Sequence, residues 1–231
     1  GEPIEMTFVE KARLGSGNAP TLRLVEGGSM GDIYTNRDFK RDNNGYISQD
    51  PKTGLPTIIE TDYRKIGSVL PKVNMGWRNS FTYKGFRLNV LLSGRFGGNV
   101  VSGTQAFLDR FGVSKYSAQL RDAGGVVING RTIAAKDYLN IIAAGSGESD
   151  FYVYDATNIR LQELTLSYTM PNKWFGNILK DVTLSFIANN PLMIYCEAPF
   201  DPELTPSTAT FGQGNDYFMQ PSVRSFGFGV K

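Results

Sequence analysis

A chain of 231 residues with 41% hydrophobic residues is long enough for one large domain or two ordinary ones, and apolar enough to build a core. Its 24 basic and 22 acidic residues leave a net charge of +2, too small and too dispersed to select a polyanion, so nucleic acid is not an expected partner. Histidine is absent and cysteine occurs once, at Cys196, which removes histidine-dependent triads, argues strongly against a structural zinc site and allows no internal disulfide.

Mean hydropathy is slightly negative, and no run approaches the roughly 18 apolar residues that a membrane helix needs. That excludes a helical membrane protein and leaves a β-barrel open, because barrel strands bury only alternate residues in lipid. Position 1 is Gly, with no signal peptide behind it, so the sequence reads either as a mature chain or as part of a longer one.

In chain order, Ile4 to Val9 alternates weakly and gives a first strand, broken by Gly15-Ser16-Gly17-Asn18-Ala19-Pro20. Thr21 to Val25 and Asp32 to Thr35 are short strand candidates around Gly27-Gly28. From Asn36 to Pro71 turn formers dominate (Asp42-Asn43-Asn44-Gly45, Asp50-Pro51, Thr53-Gly54, Leu55-Pro56), predicting a long excursion with at most one short hairpin. Val73 to Gly97 then reads as two strands about the turn Tyr83-Lys84-Gly85-Phe86. Val73, Met75, Trp77, Phe81 and Tyr83 share one face, as do Phe86, Leu88, Val90, Leu92 and Phe96; the opposite faces carry Arg78, Arg87 and Arg95, and Asn79 and Leu91 are out of phase.

The connection Gly98 to Phe151 has helical patterning at Gln105 to Phe111, Lys115 to Arg121 and Ala134 to Ile142, with five basic residues against five acidic. Tyr152 to Met170 is the longest strand candidate; Ile159 and Leu161 are out of phase with Leu164, Leu166 and Tyr168, which predicts a bulge near Gln162. A short turn, Pro171 to Leu179, leads into a strand through Val182, Leu184, Phe186 and Ala188, with Pro191 at a bulge or at the strand's exit. Glu197 to Phe218 is a second long loop, and a last strand from Pro221 carries Phe226, Phe228 and Val230 on one face.

Short turns and long loops therefore alternate, as they do in an outer-membrane barrel with periplasmic turns and extracellular loops. A soluble β-sandwich also alternates, so the pattern alone leaves protein core and lipid both open. Five firm strands, with one or two more in the first 35 residues, fall below the roughly eight of the smallest membrane barrel. An open sheet in lipid leaves unpaired edge groups costing several kcal/mol each. On the membrane reading the chain is thus one piece of a larger barrel.

The motifs resemble a family. Phe81-Thr82-Tyr83-Lys84-Gly85-Phe86-Arg87-Leu88 and the Gly-rich exit Gly94 to Asn99 are similar to a recurring hairpin of SusC/RagA-type TonB-dependent transporters. The run Asn158 to Pro171, NIRLQELTLSYTMP, together with Asn189-Asn190-Pro191-Leu192 and Phe200-Asp201-Pro202-Glu203, follows that family's C-terminal barrel in order and spacing. Asp42-Asn43-Asn44-Gly45-Tyr46-Ile47 is a degenerate form of the family's Asp/Asn-rich stretch and lacks a calcium loop's acidic ligands, so no metal is assigned. The plug and the TonB-contact segment are not in these residues.

The resemblance implies an all-β fold, the C-terminal antiparallel strands of a transmembrane barrel of about 22 strands, with long extracellular loops containing short helices. It implies residues 1–231 as a single barrel part in the outer membrane, importing oligosaccharides or peptides with a SusD-like surface lipoprotein and energised through TonB, with neither catalytic residues nor a cofactor. Arg78, Arg87, Arg95, Arg160 and Glu163 would face the lumen, each arginine pairing with a wall or plug carboxylate or meeting solute. Trp77, Phe81, Leu88, Val90, Leu92, Leu184, Phe186, Phe226 and Phe228 would face lipid. Phe200, Phe211 and Tyr217 are vestibule candidates, as sugar platforms or packing anchors. Asp201 and Glu203, two apart, are expected on an exposed solvated loop rather than as a glycosidase pair. The alternatives are a soluble β-rich carbohydrate-binding or adhesin module, and a passive porin without a plug.

Overall fold

The structure is a computed structural model and describes residues 4–7, 20–144, 150–174, 181–204 and 213–231. Its first strands are β1 (Ile4–Thr7), β2 (Thr21–Leu24), β3 (Asp32–Phe39), β4 (Ile58–Ser68), β5 (Val73–Tyr83), β6 (Phe86–Phe96) and β7 (Asn99–Ser102). Helices α1 (Gly103–Arg110) and α2 (Lys115–Asp122) follow, then β8 (Val126–Ile128), β9 (Arg131–Ile133) and α3 (Ala135–Ile142). The chain ends with β10 (Val153–Asp155), β11 (Asn158–Thr169), β12 (Thr183–Cys196), β13 (Asn215–Asp216) and β14 (Ser225–Val230). The expected positions Phe8, Val9 and Phe175 to Leu179 lie outside the described residues. Two compact units form, one of Gly1–Leu70, Gly98–Tyr154 and Glu203–Met219, the other of Pro71–Gly97, Asp155–Pro202 and Gln220–Lys231.

The second unit is an antiparallel sheet in the order β14-β12-β11-β6-β5. Its register gathers the apolar residues into rows across all five strands. Tyr83, Phe86, Tyr168, Leu184 and Val230 align in one row, and Phe81, Leu88, Leu166, Phe186 and Phe228 in the next. Between them a row of Thr82, Arg87, Ser167, Ser185 and Gly229 points the other way, because successive residues alternate faces. The expected bulge is present: Leu161 pairs with Leu92 and Glu163 with Leu91, so Gln162 is the extra residue. It brings Ile159 and Leu161 onto the face of Leu164 and Leu166. Opposite it, Asn190 and Pro191 are the extra residues of β12, which continues past the proline to Cys196.

The β5–β6 turn has two central residues, Lys84 at φ 45° and Gly85 at φ 86°, the left-handed pair that a two-residue hairpin matching strand twist requires. Gly85 is also held from outside the hairpin: Thr169 N donates to its carbonyl at 2.9 Å, and a Cβ there would stand 2.8 Å from Thr169 O.

The first unit corrects two expectations. The stretch from Asn36 to Pro71 is not mostly irregular, since β3 and β4 pair antiparallel across Asp32–Phe39 and Ile58–Ser68. Only the connection between them follows the turn formers, with Asp42 Oδ1 accepting from Asn44 N at 2.8 Å and Tyr46 N at 2.9 Å. β4 hides from a period-two reading because its middle is polar; Arg37–Glu60 at 2.9 Å, Arg64–Asp38 at 3.6 Å and Lys65–Asp32 at 2.7 Å tie it to β3. The Tyr152 to Met170 candidate is two strands. Asp155 Oδ1 accepts from Thr157 N at 2.7 Å and turns the chain, so β10 joins β7 and β13 while β11 joins the five-stranded sheet. The longest strand is β12, with 14 residues.

The long connection after β7 is a packed body, not an extended loop. All three expected helices are present, α1 and α2 capped by Ser102 and Ser114, which accept from Gln105 N at 3.0 Å and Ser117 N at 2.9 Å. Ala106, Ile128, Ile133, Tyr138, Leu139, Ile142 and Tyr152 close around Phe39 as one core, and Leu22, Ile33, Val69 and Val101 form another under the first sheet.

Candidate functional site: the arginine face of the five-stranded sheet

On this sheet the polar rows hold the residues singled out from sequence. Arg160 on β11 is flanked by Ser93 on β6 and Met193 on β12. Its guanidinium is 6% exposed and grips the Asp201 carboxylate, itself 8% exposed, with Nη2 2.8 Å from Oδ1 and Nη1 3.5 Å from Oδ2. Nε donates to Asn158 Oδ1 at 3.3 Å and Nη1 to Ser222 Oγ at 3.5 Å, while Ser222 N donates to Asp201 Oδ2 at 3.4 Å. Asn158 Nδ2 in turn donates to Ala156 O at 3.1 Å. A planar guanidinium suits this two-pronged geometry as a lysine would not.

Beside the pair lies a cavity of about 290 Å³, with Phe200, Leu192, Met193, Arg224 and Cys196 on its walls. The Cys196 thiol donates to Ala198 O at 3.2 Å and contacts Phe200 O at 3.4 Å, which anchors the start of the loop carrying Asp201. Arginine, carboxylate, amide and hydroxyl are consumed by one another here. The group positions a loop on a strand and offers no nucleophile–base pair.

The other predicted residues scatter over the same face and beyond it. Arg78 reaches across β6 to Glu163 at 3.5 Å, the arginine well exposed and the glutamate half-buried. Arg87 is exposed in the row with Ser167, and Arg95 is half-buried in the row with Asn158 and Cys196. Tyr217 belongs to the other unit, where its ring packs edge-on to Phe218 at 5.2 Å, and Phe218 packs on Phe107 at 5.3 Å. Phe211 lies outside the described residues.

One expectation is overturned. The Asp201 side chain is nearly buried against Arg160 rather than solvated on an exposed loop, whereas Glu203 is exposed. The resemblance quoted both partners, Arg160 inside the β11 motif and Asp201 in Phe200-Asp201-Pro202-Glu203, but a separation of 41 residues gave no sign that they pair. Ser222 carried no sequence signal.

A sheet apolar on one face and arginine-bearing on the other, with its polar contacts built between strand and loop, has the form of a β-barrel wall segment. Comparison with known proteins agrees. No protein-family model matches the chain. A TonB-dependent receptor P3 of Formosa agariphila is 25% identical over 213 residues, 90% of this chain and 21% of that protein. Among solved structures, the RagAB peptide importer in its closed-closed and open-open states superposes with a TM-score of 0.58 at 16% identity, over 91% of this chain and 25% of the importer chain. A further RagAB peptide transporter structure gives a TM-score of 0.55 at 15% identity, over 93% and 23%. The chain therefore spans about a fifth of the curated relative's length and about a quarter of the solved chains'. The resemblance read from the motifs is supported: the chain is similar in sequence to a TonB-dependent receptor and shares the all-β barrel fold of the RagAB chains, and the proteins it is similar to are a receptor and importers.

Proposed function

We propose that this chain is the C-terminal wall of an outer-membrane active transporter. The full protein imports oligosaccharides or peptides with a SusD-like surface lipoprotein and draws energy through TonB, which it contacts by a segment outside these residues. The observation that carries the reading is the face left to the surroundings by the five-stranded sheet. Phe81, Leu166, Phe226 and Phe228 are 53%, 43%, 62% and 87% exposed in adjacent rows, a patch that water disfavours and lipid accepts. The outer strands β5 and β14 each pair on one side, and in a barrel of about 22 strands both edges continue into neighbours.

On this reading β5, β6, β11, β12 and β14 span the membrane. The Lys84-Gly85 turn is periplasmic, and the α1–α3 body with the loop bearing Asp201 is extracellular. The arginine face lines the lumen, where Arg160 and Arg78 serve the wall through Asp201 and Glu163, and Arg87 is the candidate for plug or solute.

The test is accessibility in intact cells expressing the full-length protein, in a cysteine-free background that includes Cys196→Ser. A cysteine replacing Arg121 on α2 reacts with a membrane-impermeant maleimide, and one replacing Lys84 reacts only after the outer membrane is opened. The reverse pattern, or equal labelling of both, rejects the orientation. Uptake by cells lacking the gene, compared between labelled oligosaccharides and labelled peptides, decides the solute class.

A further inference from the structure

The α1–α3 body contains a cavity that the barrel reading does not use. About 200 Å³ in volume, it is lined by Gln105, Asp109 and Tyr116 from the helices and by Phe151, Tyr152 and Tyr154 from the segment leading into β10. Asp109 is 2% exposed. Its carboxylate accepts from Gln105 Nε2 at 2.8 Å and from Tyr152 Oη at 3.1 Å. A carboxylate offers about four acceptor positions, so two stay open. Among the described residues no Lys or Arg forms an ion pair with Asp109, although buried charges are ordinarily paired.

The surroundings reinforce the sign. Burial pushes the Tyr116, Tyr152 and Tyr154 hydroxyls up, and the charge of Asp109 comes next for each; neighbouring tyrosines add to it at Tyr152 and Tyr154, and Asp216 at Tyr154. Asp216 is itself buried and receives the Ser102 hydroxyl at 2.6 Å. Tyr116 and Phe151, both on its lining, are 41% and 40% exposed, so partly open aromatic rings flank the buried carboxylate. Aromatic faces attract a cation through their quadrupole, most strongly where water is excluded.

We propose that this cavity binds an organic cation, a primary ammonium or guanidinium on a short alkyl stem. The head group donates to the open positions of Asp109, and the stem lies against Tyr116 and Phe151. The volume is below the roughly 300 to 1,000 Å³ of ordinary small-molecule sites, so the site takes a head group rather than a whole solute. It stands apart from the transport reading, because it is defined by residues of one unit and read out by binding.

The experiment uses the full-length protein in detergent, with n-butylammonium and methylguanidinium as probes and n-butanol as the neutral match, followed by titration calorimetry or saturation-transfer NMR. Both cations bind saturably and n-butanol does not. Asp109→Asn, which keeps size and an acceptor for Tyr152, weakens the cations by about tenfold or more. Tyr116→Leu, at an exposed position, weakens them severalfold while the fold persists, and decides alone where Asp109→Asn does not fold. Equal response to n-butylammonium and n-butanol, or cation binding untouched by Tyr116→Leu, overturns the proposal.

Discussion

The guanidinium of Arg160 on β11 and the carboxylate of Asp201 on the loop after β12 meet in a two-pronged pair, 2.8 Å at its shorter prong and almost closed to solvent. Removing one partner of a buried pair leaves the other charged in a poor solvent, at a cost of about 3 to 5 kcal/mol. Asp201→Ala is therefore expected to destabilise the full-length protein by that order, read as a lower urea midpoint in detergent. Glu203→Ala, two residues on and exposed, leaves the midpoint in place. Equal midpoints for the two variants would mean the pair contributes nothing.

Val90 lies on the apolar face, between Asn79 on β5 and Leu164 on β11, and its neighbour Asn89 lies on the arginine face between Ser80 and Thr165. A charge on the lipid side of a barrel costs about 2 to 4 kcal/mol near the bilayer midplane. Val90→Arg should lower folding and insertion of the full-length protein into vesicles by that amount, and Asn89→Arg by much less. Unimpaired insertion of Val90→Arg would reverse the assignment of faces.

At Gly85 two constraints coincide, a φ of 86° and a Cβ position 2.8 Å from a backbone oxygen. A left-handed backbone costs a residue other than glycine about 1 to 2 kcal/mol, and the approach to Thr169 adds to it. Gly85→Ala is expected to lower the temperature at which the folded barrel loses its fast-migrating band on a denaturing gel. Gly76→Ala, where an added Cβ meets nothing within 4 Å, is the control and leaves that temperature unchanged.

How much of this was readable in advance follows from what each element uses to hold itself. β6, β11 and β14 are held by apolar rows, and period-two alternation exposes such strands directly; even the bulge at Gln162 announced itself as a change of phase. β4 is held by ion pairs to β3, and Glu60, Arg64 and Lys65 look like a solvated loop until their partners are known. The site divides in the same way. Arg160 and Asp201 each stood in a motif, but the pairing belongs to the fold. Asp109 and Tyr152, 43 residues apart, share a hydrogen bond that neither composition nor spacing encodes.

The α1–α3 body should announce itself at high pH. Burial, followed by the charge of Tyr116, pushes the Tyr138 hydroxyl up to about 12; burial, followed by the charges of Asp109, Tyr116 and Asp216, does the same to Tyr154. Tyr152, buried and donating to Asp109, is pushed further in the same direction. In the unfolded chain these groups ionise near the ordinary value of 10.0. Between that value and about 12 the unfolded state holds fewer protons than the folded one, so stability falls as pH rises through this window and is unaffected below it. Absorbance at the tyrosinate band, followed during alkaline titration of the full-length protein, should therefore show a late fraction that rises together with unfolding of this body. Tyr138→Phe removes one group from that fraction and makes the loss of stability with pH shallower. A titration in which all tyrosines ionise together near 10, with the fold intact, would show that these hydroxyls are not enclosed as described.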